Sequence, residues 1–247
     1  MTLATDPATD TRHAAPRRDH RRTWRVFAAL SMVLGPLLVT VIRAVMPYWT
    51  DEAPDESVAG MAADPGSLAL ANWLSVLSFP FLVLGVIGAA YAVRRRTPVL
   101  ATVGGGLAFT GLTLGGLLGA SDVLAETMIK GGYSTEEIVT LTTSFMDQPA
   151  GLFGLFAFVL GHLIGYAVLG VAIWRSGLVS WWAGAAIVVG QPVHLVAAVI
   201  WPSRALDVIG GWGLTTVGFA VLALAVLRMR DDDWDLAPVP SGAGDHR

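Results

Sequence analysis

Arg43, Asn72, Asp122, His162, Gln191 and His194 stand within or at the edge of long apolar stretches, and any chemistry in this chain has to be sought among them. A charged or strongly polar side chain is costly to hold in hydrocarbon, so each one retained there is a candidate for function. His162 and His194 are the most informative. At 1.5 Å per residue they would lie roughly 15 Å and 10 Å inside the apolar layer, near enough in depth to face each other from adjacent helices. Gln191, three residues before His194, shares its helix face, and Tyr166 lies one turn from His162. The chemistry this offers is a small polar pocket that holds a ligand from the outer side of a membrane.

Each residue also has a plainer role. A neutral histidine in a helix bundle often bonds only a neighbouring carbonyl, hydroxyl or amide, a contact that contributes about 0.6 kcal/mol on average. Arg43 can extend its head group to the interface, Asp122 can sit there as a solvated carboxylate, and Asn72 alone decides nothing. Two imidazoles on adjacent helices are also an axial ligand pair for b-type haem. The glycines beside His162 favour close helix contact over a porphyrin, so no cofactor is expected. Secondary transport is a further alternative: Pro36, Pro80 and Pro192 can interrupt helices, but no obvious intramembrane acid offers an ion site.

Catalytic signatures are missing. The chain has no G-x-S-x-G elbow, no H-E-x-x-H and no phosphate-binding loop, so an enzyme is not expected. With no Cys, disulfides, thiolate metal sites and iron–sulfur clusters are excluded. A net charge of -3 leaves no basic surface for nucleic acid.

The elements that must position these residues are six apolar runs, 26–42, 65–93, 97–121, 148–174, 176–203 and 208–227. About 20 helical residues cross a bilayer core, so the expected fold is all-α and polytopic, with spans at about 24–46, 68–93, 98–121, 151–174, 178–201 and 206–227. If the N-terminus is cytoplasmic, thirteen of the sixteen basic residues fall inside, and only Arg43, Lys130 and Arg204 fall outside. Because lysine and arginine bias orients spans, both termini are expected in the cytoplasm, with the bilayer as the principal partner. Arg21–Arg22 read as the inner anchor of a retained first helix.

Between the spans, residues 50–67 form an acidic loop, and the three arginines 94–96 leave only a tight turn joining the second and third spans as a hairpin. Gly111, Gly115 and Gly119 repeat every four residues and predict a groove along the third span. Its helix can continue through Asp122 and Glu126 to Gly131–Gly132. Ser134–Thr135–Glu136–Glu137 then has the form of a capping box that opens a short interfacial helix with Ile138, Leu141 and Phe145 on one face. The tails, 1–23 and 229–247, are polar and expected to be disordered.

Residues 156–227 carry G-H-x-x-G around His162, Trp174–Arg175, Trp181–Trp182–Ala183, His194–Leu195 and Pro202–Ser203–Arg204–Ala205–Leu206. This stretch resembles small integral membrane proteins of high-GC Gram-positive bacteria. The resemblance implies six helices and a bacterial plasma membrane, and it transfers no functional residue.

Overall fold

The computed structural model describes residues 19–236, so the outer parts of both tails lie outside it. Six helical spans among the described residues are long and apolar enough to cross a membrane, and no strand accompanies them. They are α1 (Arg21–Val45), α3 (Pro65–Val93), the consecutive α4 (Pro98–Leu114) and α5 (Gly116–Lys130), α7 (Pro149–Ser176), α8 (Trp181–Leu195) with a π-helical extension Val196–Ile200, and a last span. The last span starts as α9 (Arg204–Leu206), passes through a π-helical segment Asp207–Gly213 and continues as α10 (Leu214–Arg228). The protein is therefore an all-α, polytopic bundle.

Glycine decides how closely the helices approach. A Cβ on Gly104 would come within 2.6 Å of the Leu169 amide nitrogen, one on Gly111 within 2.6 Å of the His162 nitrogen, and one on Gly161 within 2.7 Å of the Gly111 Cα. Gly165 faces the Ala108 backbone just as tightly. Thus α4 and α7 meet backbone to backbone, the contact small residues permit in lipid. The seam is displaced from the expected groove: at Gly115 and Gly119 the neighbours are the rings of Phe158 and Phe79.

The third span runs past residue 121, as the sequence allowed, and ends at Lys130. A short helix follows, α6 (Thr135–Met146), opened by the expected box: the Ser134 hydroxyl accepts from the Glu137 amide at 3.3 Å, and the Ser134 amide donates to the Glu137 carboxylate at 2.8 Å. The Ser134 hydroxyl also donates to the Glu137 carboxylate at 2.7 Å, and that bond first, with the amide bond second, holds the Glu137 carboxyl below its ordinary range. Ile138 is buried, whereas Leu141 stays exposed.

Two segments differ from the sequence reading. Residues expected as a solvated acidic loop contain α2 (Pro54–Ala63), whose Val58 and Met61 pack with Leu68, Ala125, Met128 and Ile138. Pro54 at its first position and Asp55 and Glu56 in its first turn supply the start signals. At the opposite end, the start of the C-terminal tail is ordered into α11 (Asp231–Trp234). Trp234 is buried against Trp24 and Tyr91, at ring distances of 6.4 and 5.0 Å. Around it Arg21 meets Asp232 at 2.6 Å, Arg25 meets Asp231 at 3.0 Å and Arg94 meets Asp235 at 3.7 Å. The indole area removed from water stabilises this strap more than such partly exposed ion pairs do.

Candidate functional site

Asp207, which the sequence reading passed over, organises the polar interior. Its side chain is 0% exposed, with one oxygen accepting from Arg43 Nε at 2.5 Å and the other from His194 Nδ1 at 2.6 Å. Three helical segments converge there: the end of α1 brings Arg43, the end of α8 brings His194, and the π-helical turn brings Asp207. A π segment carries extra backbone per turn and turns side chains off the ordinary α face. That is why an acid one residue inside the predicted 206–227 span ends up in the core. Its position within an apolar span was the available signal.

The histidines do meet. Their ring centroids are 5.9 Å apart, and Trp212 approaches both, stacked on His162 at 6.2 Å and edge-on to His194 at 5.4 Å. Phe158 also stacks on His162 at 4.3 Å. His162 Nδ1 donates to the Phe158 carbonyl at 2.5 Å, and its Nε2 is a buried atom with no partner among the described residues. Both imidazoles are thus fixed through Nδ1, one by a carbonyl and one by a carboxylate. In a cycle of His162→Ala, His194→Ala and the double variant, thermal unfolding should show a coupling of about 0.5–3 kcal/mol, as contacting residues do. Additive losses would mean that the two rings act independently.

Gln191 and Asn72 belong elsewhere. Gln191 Nε2 donates to Thr215 Oγ1 at 3.0 Å, which in turn donates to the Gly211 carbonyl, so it ties α8 to the last span. Asn72 Nδ2 donates to Glu126 at 2.6 Å, and Lys130 reaches the other oxygen of Glu126 at 2.5 Å. Asp122 accepts from the Tyr48 hydroxyl at 2.7 Å.

Arg43 and Asp122 do share a space. A cavity of about 180 Å³ is bordered by both of them together with Tyr48, Ser78, Phe158 and Trp212. Arg43 is held on several sides: Nε by Asp207, Nη1 by the Met46 sulfur at 3.4 Å, and the guanidinium plane 4.0 Å from the Trp49 ring centroid. Its Nη2 and the Trp212 Nε1 are buried N–H donors with no acceptor among the described residues. Leaving such a donor unpaired costs about 1–3 kcal/mol, which favours an acceptor in that neighbourhood. The six candidates therefore divide: Arg43 and Asp122 border the cavity, the histidines adjoin it through Asp207 and Trp212, and Gln191 and Asn72 make their hydrogen bonds outside it.

Fold and cluster together define a six-span membrane bundle with a buried arginine–aspartate–histidine centre beside a cavity that Arg43 and Asp122 border. No family model, no curated protein and no solved structure matches the chain.

Proposed function

We propose that this is a plasma-membrane protein of bacterial type that binds a small ligand in the cavity between α1, α3, α5 and the last span, with both termini cytoplasmic and the cavity on the outer side. One observation carries the reading: a cavity bordered by Arg43 and Trp212, each with a buried N–H that lacks an acceptor. Catalysis is not part of the proposal, because the cavity holds neither a nucleophile–base pair nor two facing carboxylates. The orientation rests on the arginine-rich end of the bundle, which lies away from Arg43, Asp122 and the acidic loop 50–67.

The natural absence of cysteine gives a direct test. Ser78 borders the cavity and is buried, and Ser78→Cys changes one atom. In intact cells the variant should react with a small membrane-impermeant thiosulfonate added outside, at a rate well above that of the same substitution at Ala89, a residue buried in the apolar core. Labelling from the cytoplasmic face alone would reverse the orientation, and failure to label from either face would remove the pocket.

Secondary transport is the second reading, and Asp207 is the observation in its favour, since it supplies the intramembrane acid that an ion-coupled site needs. A transporter must expose its site alternately. Reaction of Ser78→Cys from both faces would favour transport, and reaction from the outer face alone favours a binding protein.

A further inference from the structure

At about 180 Å³ the cavity is smaller than the ~300–1,000 Å³ of ordinary ligand sites, so it suits a head group better than a whole ligand. The remaining space lies next to it. A groove of about 810 Å³ runs between α3 and the α4–α5 span, open on the membrane-facing side and almost wholly apolar in lining. On α3 it is bordered by positions 72, 75, 76, 79, 80 and 83, a single helix face that extends over twelve residues, or eleven rises. At 1.5 Å per residue this is about 16 Å, close to half of a ~30 Å hydrocarbon core, which is the length of one leaflet.

Groove and cavity share a wall made of Ser75, Phe79, Leu112 and Gly119. Leu112 is fully buried, whereas the Phe79 ring rests over the two glycines after the α4–α5 break, near enough that a Cβ on Gly115 would come within 3.1 Å of it and one on Gly119 within 3.9 Å. The glycines leave that ring a shallow bed without crowding. Phe79 is thus the partition between an apolar channel that opens to lipid and the chamber behind it that Arg43, Asp122 and Trp212 border.

Charge narrows the head group. Around the chamber Arg43 is already balanced by Asp207, and Asp122 adds a second carboxylate, so a further anion gains no net attraction. What is lacking is an acceptor for Arg43 Nη2 and Trp212 Nε1. The geometry points to a neutral, carbonyl-bearing, single-tailed amphiphile drawn from the bilayer: its tail lies in the α3/α4–α5 groove and its oxygen accepts from Arg43 and Trp212 after passing Phe79. This assignment rests on the binding function proposed above and adds the chemical class and the route of entry.

The Ser78→Cys protein in detergent or bilayer discs tests it with three twelve-carbon probes that differ only at the head: 2-dodecanone, dodecanoate and dodecane. The ketone should slow thiosulfonate labelling at least five-fold, and dodecane should leave the rate within two-fold of the untreated protein. Equal protection by dodecane would overturn the head-group assignment, and stronger protection by dodecanoate would replace a neutral head with an anionic one. No protection by the ketone, with labelling intact, would overturn the amphiphile while leaving the pocket, whereas loss of labelling itself strikes the earlier reading. Two substitutions locate the ligand. Trp212→Phe keeps an aromatic ring, though a smaller one, while removing the N–H, and should cut ketone protection at least three-fold. Gly116→Phe fills the groove, since a Cβ there meets nothing within 4 Å, and should abolish ketone protection without slowing the water-borne label. Full ketone protection in Gly116→Phe would show that the tail does not use the groove.

Discussion

Asp207→Ala should be the most damaging single substitution in the polar centre, lowering stability by about 3–5 kcal/mol, because it strands the Arg43 guanidinium in the interior with no countercharge. Arg43 Nε is 2.5 Å from the Asp207 carboxylate, and the Asp207 side chain is fully buried. Truncation to alanine removes the acceptor while leaving the donor in place, which is the expensive way to break a buried pair. Replacing both partners with apolar residues of similar volume, Arg43→Met with Asp207→Leu, should recover much of the loss. Thermal unfolding of detergent-solubilised protein measures both. If Asp207→Ala melts with the parent protein, the ionic cluster does not hold the last span in place.

The second large effect belongs to the α4–α7 seam. Gly165→Leu should destabilise by at least the 1–3 kcal/mol typical of overpacking, because the atom in its way is the Ala108 backbone, which cannot rotate aside as a side chain can. Gly106→Leu is the control: it lies on α4, the span that Gly165 meets at Ala108, yet a Cβ there meets nothing within 4 Å. The first should lower the melting temperature and the yield of folded protein, and the second should leave both near the parent values. Equal behaviour of the two would place the seam elsewhere.

Hydropathy read the architecture well because it reports the one property a bilayer selects, an uninterrupted apolar length of helix. The sequence spans end within a few residues of α1, α3, α7 and α8 with its π extension. The capping box at Ser134 was equally legible, being a local hydrogen-bond pattern that needs no tertiary partner. What escaped depends on contacts distant in sequence. Val58 and Met61 look unremarkable in an acidic loop until Ala125, Met128 and Ile138 are brought against them. Trp234 gives a polar tail a reason to fold only once Trp24 and Tyr91 form a surface to receive it.

The site shows the same division. Polar residues inside apolar runs were found by rarity, and His162 and His194 do adjoin. Asp207, the partner that His194 shares with Arg43, was missed because helical periodicity assumes 3.6 residues per turn, and the π segment Asp207–Gly213 departs from it. Residue spacing also could not show that Gln191 would be used by Thr215 or Asn72 by Glu126.

The C-terminal strap gives the arginines two lives separated in time. While a chain is being inserted, Arg21, Arg25 and Arg94 are free charges that can bias which way the first spans face, since the last helix and everything after it has not yet been made. Once the bundle closes, Asp232, Asp231 and Asp235 neutralise those same three side chains from within. The mature surface at that end therefore has less pull on anionic lipid head groups than the count of its arginines suggests. A charge pattern that can act as an address label during synthesis becomes, in the finished protein, one half of a clasp.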